Sequence, residues 1–328
     1  MSHNISYIFV IYNDYKLLEK SLPSVLKQED VESEIIIVDN APSLESQKII
    51  HRLIRTYTEG TILYFPQEHN LGYSGGANYG INAAQHENVC ILNADIYLTS
   101  SYSYRILSEL NKSENRVGAT GKILKYDFEN DCQTRLIDTT GIHLEKNFKA
   151  FDRGQGEIDQ GQYDEEKEIF GICGAIAIYK KEILKIAAYE NEYFDEDFLA
   201  YKEDVDLSWR LTNLDYSFIY VPEAIGFHGR GMEKISGHGI YNMIKRRKRQ
   251  SAFLRELSLS NQRLMIMKNI KSKHLYENWF SIAIRMVLEA GFSILVEPKV
   301  YIKSWIRTIK LRKAILRKRK ALYSGMIT

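Results

Sequence analysis

Three short apolar runs, each ending abruptly in polar residues, constrain the fold of this chain more than any other feature. They cover residues 5–11, 34–38 and 89–92, which lead into Tyr12-Asn13, Asp39-Asn40 and Asn93-Ala94-Asp95. Such runs are typical of strands buried on both faces of a parallel sheet, and open α/β sheets bind ligands at the carboxyl ends of these strands. We therefore predict that Asn13, Asp39 and Asp95 form one site. Each alone could also be an ordinary turn or helix cap.

A second feature is the segment 194–210, which sets acidic side chains among aromatic and aliphatic ones. If the chain is helical from Glu203 onward, Asp206 lies one turn from Arg210 and pairs with it. Glu203 and Asp204 have no such partner, and adjacent carboxylates at the start of a helix suit general-base chemistry in a shielded pocket. The alternative is a capped, salt-bridged surface helix.

Charge is distributed unevenly along the 328 residues. Residues 241–328 carry 21 Lys and Arg against four Glu, a formal charge of +17, so residues 1–240 carry −15. This asymmetry predicts an anionic partner for the basic region, either a membrane surface or nucleic acid. We favour the membrane, because the basic residues alternate with aliphatic ones at helical spacing and no nucleic-acid-reading motif occurs.

The basic region also predicts a domain boundary. We place it at residue 235, between an α/β unit (1–235) and a helical basic region (236–328) for membrane association or oligomerisation. The apolar stretch 279–296 is interrupted by Arg285 and Glu289, which favours an interfacial or bundle helix over a spanning one. Residues 126–168 lack periodicity and predict a long loop, either an acceptor-side lid or a surface excursion.

The remaining composition indicates a globular cytoplasmic protein. Hydrophobic residues make up 45% of the chain, enough for a full core. The three cysteines have no disulfide or zinc spacing, which suits a reducing compartment. The chain runs directly into its first strand, so a standard signal peptide is not expected.

Several short motifs occur together in a characteristic order. They are Val10-Ile11-Tyr12-Asn13, Ile37-Val38-Asp39-Asn40, the glycine-rich stretch 70–78, Asn93-Ala94-Asp95, residues 170–175, Glu203-Asp204 and His228. Over residues 4–230 the chain resembles the family 2 glycosyltransferases with a GT-A fold, and within them a rhamnosyltransferase-like branch. The resemblance implies an α/β fold with a mostly parallel sheet sandwiched by helices. It also implies inverting transfer of a sugar from a nucleotide donor to a saccharide hydroxyl.

The resemblance implies roles for individual residues. Asp204 would take the acceptor proton with Glu203 beside it, and Asp39 would bind the nucleotide base. Asp95 and His228 would hold a divalent cation, Mg²⁺ or Mn²⁺, at the diphosphate, although Asn93 replaces the usual first carboxylate and leaves the metal requirement open. The other expected donor contacts are Tyr12, Asn13, Asn70, Gly72, Gly75, Gly76, Asn78, Asn93 and Arg230, the last offsetting diphosphate charge if metal is weakly held.

Donor and acceptor are less constrained than the reaction. Similarity at residues 138–141, 151–154 and 194–198 favours dTDP-L-rhamnose, with a UDP-hexose or UDP-N-acetylhexosamine as the alternative donor. The expected acceptor is a saccharide or lipid-linked glycan, at the inner face of the plasma membrane. A catalytically silent sugar-nucleotide-binding module is the alternative from another class. The joint presence of Asp39, Asp95 and Asp204 argues against it, because such a module needs no base.

Overall fold

The computed structural model describes residues 3–58, 60–127, 130–229 and 240–324. The strands are β1 (Asn4–Ile11), β2 (Glu32–Asp39), β3 (Thr61–Pro66), β4 (Asn88–Leu92), β5 (Ile96–Leu98), β6 (Arg116–Asp127), β7 (Cys132–Thr139), β8 (Ile142–Leu144), β9 (Ala150–Asp152), β10 (Glu168–Ile169), β11 (Ile176–Lys180) and β12 (Ser217–His228). The helices are α1 (Leu18–Leu26), α2 (Leu44–Thr56), α3 (Gly72–Ala83), α4 (Tyr102–Leu110), α5 (Lys181–Ile186), α6 (Glu203–Asn213), α7 (Ile240–Arg249), α8 (Ala252–Asn269), α9 (Ser272–Val296) and α10 (Pro298–Tyr323).

One large mixed sheet organises the first 229 residues. Its strand order is β10-β12-β6-β11-β4-β1-β2-β3, with β5 added beside β12 and β7 beside β6. Strands β4, β1, β2 and β3 are parallel, whereas β11 runs antiparallel between β4 and β6. The sheet therefore confirms the predicted α/β class with helices packed on it, and β11 is where the parallel order breaks.

The three apolar runs form adjacent strands because β1 pairs with both β2 and β4. Ile11 lies beside Asp39, and Phe9 lies beside Leu92, so all three strands end at the same edge of the sheet. Since the carboxyl ends of parallel strands share an edge, the polar residues that follow them converge, as the sequence predicts.

Helix α3 lies unusually close to β1. A Cβ atom added at Gly80 would be 2.2 Å from Cγ2 of Ile8, and one added at Gly76 would be 2.6 Å from Cγ1 of Val10. Glycine is required at both positions because the helix backbone contacts the side chains of the strand directly.

The segment 126–168 is more ordered than predicted. It contains β7, which pairs with β6, and a separate hairpin of β8 and β9. The prediction of a loop was wrong because these strands are short or shifted in register, which obscures the alternation that marks a longer strand.

Helices α8 and α10 pack on each other, and α8 contacts α6 of the first unit. Helix α9 is largely exposed, with only Ile282 and Ser293 buried. In the described part of the chain it is the one helix long and apolar enough to cross a membrane, by length and composition alone. The predicted helices are thus present, and the predicted boundary at residue 235 lies outside the described residues.

Candidate active site

Glu203 and Asp204 form the first turn of α6, where the sequence predicts them. They line a cavity of about 300 Å³ together with Tyr73, Asn93 and the β8–β9 hairpin. The end of β4 and the start of α6 therefore face the same space, although they are about 110 residues apart in sequence.

The Asp204 carboxylate is fixed by two backbone donors. Gly174 N–H donates to its Oδ2 at 2.9 Å and Val205 N–H donates to its Oδ1 at 2.7 Å. These bonds and the positive end of the α6 dipole stabilise negative charge on Asp204. The side chain remains partly exposed to the cavity, so it can accept a proton from a bound molecule.

Glu203 differs from its neighbour in burial and in charge. It is 7% exposed, and its Oε2 has no hydrogen-bond partner among the described residues. Burial, aided by repulsion from the Asp204 carboxylate, raises the pKa of Glu203 to about 8. At neutral pH Glu203 is therefore mostly protonated.

The four residues before this pair have an unusual backbone. Leu199 has φ 62° and ψ −57°, and Ala200 N–H donates to the Phe198 carbonyl at 2.7 Å, which together define a γ-turn. Tyr201 and Lys202 follow with φ of 69° and 73°. Positive φ is costly for residues with side chains, so this segment must be held by its surroundings.

Asn261 of α8 holds that segment from the carboxyl-terminal side. Its Nδ2 donates to the carbonyl oxygens of Phe198, Ala200 and Tyr201 at 2.9, 2.9 and 2.8 Å. Its Oδ1 accepts from Arg307 of α10 at 2.7 Å. The basic region therefore contributes directly to the backbone that precedes the carboxylate pair. No local sequence signal identifies Asn261, because its partners lie some 60 residues away.

The other side of the segment is held by buried charges. Lys268 Nζ lies 2.7 Å from Asp195 Oδ2 and 2.9 Å from Asp206 Oδ2. The predicted ion pair between Asp206 and Arg210 is confirmed at 2.9 Å, with both side chains fully buried. Burial opposes ionisation of Asp195, but the ammonium groups of Lys268 and Lys318 outweigh it and lower its pKa. Part of the +17 charge of residues 241–328 thus neutralises acidic side chains of the α/β unit.

A buried histidine links two carboxylates at the end of β12. His228 ends β12, with Nδ1 2.7 Å from Asp138 Oδ2 and Nε2 3.2 Å from Asp95 Oδ1. Burial lowers its pKa, but the hydrogen bonds to Asp138 and Asp95 outweigh this and raise the pKa to about 9. His228 is therefore an imidazolium at neutral pH, fixed beside Asp95. The part played by Asp138 was missed by the sequence analysis, which placed that residue in a sugar-recognition motif.

The residues fit a weak cation site that the donor would complete. Asp95 is one-fifth exposed and Asn93 lines the cavity, so both offer oxygen atoms, the ligands that Mg²⁺ and Mn²⁺ prefer. No cluster of three or more His, Cys, Asp or Glu side chains suited to a metal occurs in the described ranges. As an imidazolium, His228 has no lone pair for a metal, so the predicted ligand role requires loss of its proton.

Asp39, Tyr12 and Asn13 lie at the shared strand edge. Asp39 is fully buried and accepts hydrogen bonds from Ala41 N–H, Ser46 Oγ and Tyr64 Oη, each at 3.0 Å. The Tyr12 side chain is 56% exposed, and Asn13 has a positive φ of 64°. Asp39 therefore has three donors within the protein, and its predicted contact with the nucleotide base stays a prediction.

Asp14 follows β1 and lies at the same strand edge. Burial raises the pKa of Asp14, and the Asp95 and Asp39 carboxylates add to the effect.

The glycine-rich stretch has a structural role that the sequence did not predict. Gly72 has φ +72°, and its missing Cβ makes room for the Leu199 carbonyl, which accepts from Ser74 N–H at 3.1 Å. Asn70 Oδ1 accepts from Gly72 N–H at 2.8 Å. These residues position the γ-turn next to the start of α3.

Asn78 and Gly75, two of the predicted nucleotide contacts, also have partners inside the protein. Asn78 is 2% exposed; its Nδ2 donates to the Phe194 carbonyl and to Glu196, and its Oδ1 accepts from Phe194 N–H. A Cβ at Gly75 would lie 2.9 Å from Leu71 Cβ. Close backbone contact and phosphate binding favour the same small residues, so the nucleotide contacts stay a prediction. Arg230 lies outside the described residues.

Comparisons with known proteins agree with this arrangement. The family model for glycosyl transferase family 2 matches residues 6–186. A poly-beta-1,6-N-acetyl-D-glucosamine synthase of Staphylococcus epidermidis is 26% identical over 221 residues, which are 67% of this chain and 48% of that protein. The corresponding protein of Staphylococcus aureus (strain COL) is 21% identical over the same shares. The chain thus spans about half the length of the curated relatives it matches.

Solved structures show the same fold. The structure of GalNAc-T7 with UDP, GalNAc and Mn²⁺ has a TM-score of 0.58 at 13% identity, covering 81% of this chain and 48% of that one. Staphylococcus aureus TarS 1-349 in complex with UDP has a TM-score of 0.56 at 15% identity, covering 96% and 87%. Because the family model matches more than half of its residues, this chain belongs to glycosyl transferase family 2.

Proposed function

We propose that this glycosyltransferase moves a sugar from a nucleotide diphosphate donor to a saccharide hydroxyl with inversion at the anomeric carbon. The observation that carries the proposal is the Glu203–Asp204 pair, which opens α6 at the wall of a cavity shared with Asn93. An inverting transfer needs one base at the acceptor hydroxyl and a stabilised leaving group, and both are available around this space.

In the proposed mechanism, Asp204 accepts the proton of the acceptor hydroxyl as that oxygen attacks the anomeric carbon. Glu203 stays protonated, so the local negative charge is concentrated on Asp204. The oxygen atoms of Asp95 and Asn93 would hold a divalent cation, which supplies Lewis-acid stabilisation of the leaving diphosphate when bound. The His228 imidazolium adds positive charge beside Asp95. Asp138 keeps that ring in place.

For the donor we favour a UDP-N-acetylhexosamine over dTDP-L-rhamnose. The curated relatives make a polymer of N-acetyl-D-glucosamine, and solved neighbours hold UDP. The motifs that favoured rhamnose in the sequence have internal partners in the structure: Asp138 binds His228, Arg153 binds Thr140, and Asp195 binds Lys268. Residues with these partners carry no information about the sugar, so that basis for rhamnose is lost.

We also propose that the carboxyl-terminal helices place the enzyme on an anionic membrane. On α9 the side chains of Trp279, Phe280, Val287 and Leu295 are more than 60% exposed. The exposed basic residues of α10 include Lys303, Lys310, Arg312, Lys313 and Arg317. An apolar helix beside a basic one suits the interface of an anionic bilayer. Co-sedimentation with anionic vesicles, but not with neutral ones, and its loss in high salt would support this role.

The reaction is tested with the variant Asp204→Asn and a panel of nucleotide sugars. Loss of the base should reduce turnover by roughly two to four orders of magnitude while leaving the Kd for UDP unchanged. Asp215→Asn is the matched control, since Asp215 is exposed just beyond α6, at the end away from the cavity. Normal turnover in Asp204→Asn at saturating donor would remove Asp204 as the base. Donor binding without turnover in the unmodified protein would favour the silent module.

Chelation tests the cation. Excess chelator should suppress transfer, and Mn²⁺ or Mg²⁺ should restore it, because Asp95 is anionic and Asn93 is neutral, so neither offsets the diphosphate charge without a bound cation. Full activity in chelator would assign leaving-group stabilisation to His228 and backbone donors instead.

A further inference from the structure

A second cavity continues from the active site toward the carboxyl-terminal helices. It has a volume of about 720 Å³ and lies between α8, α9 and the residues around the β8–β9 turn. Ala150 and Lys202 line both this cavity and the one that holds Asp204. The two cavities are therefore adjacent, and Lys202, directly before Glu203, lies at their boundary.

One wall of this cavity is aliphatic and aromatic. Ile284, Leu288 and Phe292 lie one helical turn apart on α9 and face the cavity as a stripe. Leu288 is 68% exposed, so the stripe continues into the exposed apolar surface of α9. A free, hydrophilic saccharide gains little from such a wall, whereas a hydrocarbon chain gains with every buried methylene group.

The mouth of the cavity carries excess positive charge. Four basic residues (Lys149, Lys202, Arg247 and Arg285) line it against two acids, Glu145 and Glu289. Arg263 and Arg285 already neutralise Glu289. Arg247 is already paired with Glu297, whereas in the described part of the chain neither Lys149 nor Lys202 has a carboxylate within ion-pair distance. The ammonium groups of Lys149 and Lys202 are therefore available to an anionic ligand.

We infer that this cavity is the acceptor subsite for a saccharide carried on an anionic lipid, a hydrocarbon chain esterified through phosphate or diphosphate. The phosphate groups would lie at Lys149 and Lys202, the hydrocarbon along Ile284, Leu288 and Phe292, and the saccharide would extend toward Asp204. The inference rests on the proposed glycosyl transfer, because it names the acceptor class for the same base. The apolar stripe decides for a lipid carrier, since a free phosphorylated saccharide would use only the cations.

The test measures binding of farnesyl diphosphate to the full chain in saturating UDP, so that the donor site does not contribute. Farnesyl diphosphate should bind about tenfold or more tightly than inorganic diphosphate or farnesol, because only it engages both the stripe and the cations. Lys149→Glu and Leu288→Glu should each weaken it by roughly tenfold. Equal affinity for farnesyl diphosphate and inorganic diphosphate would show a simple anion site and overturn the inference.

The matched control is Leu295→Glu, which places the same charge on the same helix at a residue that is 86% exposed and does not line the cavity. It should change the affinity by less than about twofold, as surface substitutions usually do. Equal weakening by Leu288→Glu and Leu295→Glu would overturn the inference. Binding of UDP and turnover of the donor are measured in parallel. If they fail, the proposed function fails; if they hold while farnesyl diphosphate does not bind, only the acceptor assignment fails.

Discussion

Replacing Asn261 with leucine tests whether the carboxyl-terminal helices hold the catalytic backbone. The substitution nearly preserves side-chain volume but removes the Nδ2 donor shared by the carbonyls of Phe198, Ala200 and Tyr201, and the acceptor for Arg307. The two N–H donors and one acceptor of the Asn261 amide contribute about 1 kcal/mol net each, so roughly 3 kcal/mol of local support is lost. The positive φ of Leu199, Tyr201 and Lys202 costs about 1 to 2 kcal/mol per residue. The lost support is therefore about as large as the strain it offsets.

We expect the segment 199–202 to relax and to displace Asp204, which follows it directly. A displacement of about 1 Å at a catalytic group costs on the order of 10²-fold in rate, so kcat should fall by roughly 10- to 100-fold. The Kd for UDP should stay within about twofold, because Asn261 lies in α8, away from the strand ends, and substitutions remote from a site usually have small effects. This separation of kcat from donor binding distinguishes a positioning role from general destabilisation.

The assay combines steady-state UDP release with calorimetric UDP binding and thermal unfolding. Asn278→Leu is the control, since Asn278 of α9 donates only to the His274 carbonyl of its own helix. Turnover of Asn261→Leu within about twofold of the unmodified protein, with an unchanged melting temperature, would refute the reasoning, because buried carbonyls left without donors should cost more.

Three further outcomes follow from the same region. Because burial raises the pKa of Glu203 to about 8, its contribution to stability is complete below pH 4.5 and is lost as pH rises toward 8. In denaturant titrations, the unmodified protein should therefore lose stability relative to Glu203→Gln by about 1.4 kcal/mol per pH unit across that window. Parallel plots of stability against pH for the two proteins would contradict the raised pKa of Glu203. Lys268→Met leaves the buried Asp195 and Asp206 short of a cation and should reduce the free energy of unfolding by about 3 to 5 kcal/mol, whereas an unchanged value would deny the pairing. Gly72→Ala should lower both the melting temperature and turnover, because φ is +72° at this position and the new Cβ would lie 2.7 Å from the Leu199 carbonyl oxygen. A fully active and stable variant would exclude this tight contact.

The local sequence pattern was sufficient to predict an element or a contact wherever the residues that form it are neighbours in sequence. Helical spacing predicted both the start of α6 at Glu203 and the Asp206–Arg210 pair, and apolar runs located β1, β2 and β4 with their polar ends. A period of two or 3.6 residues is a property of the chain itself, so it can be recognised without the fold.

The sequence pattern failed to predict contacts between segments that are distant in sequence. The partner of Asp206 that completes its burial is Lys268, 62 residues later, and the partner of His228 is Asp138, 90 residues earlier. The glycines of α3 are ambiguous in sequence for a different reason. A glycine that admits the side chain of Ile8 and one that admits a phosphate look identical in sequence, since both are defined by a missing Cβ.

The contacts of α10 with the first unit also bear on how the enzyme is made. Lys318 lies 2.6 Å from Asp195 Oδ1 and 2.7 Å from Glu192, and Arg307 holds Asn261 against the γ-turn, yet both cations are synthesised after more than 300 residues of chain. The sheet can form on the ribosome as the amino-terminal half emerges, because domains generally fold as units during synthesis. The catalytic backbone gains its last supports only when α10 has left the exit tunnel. The backbone before Asp204 therefore depends on the same helices that are proposed to bind the membrane and the acceptor.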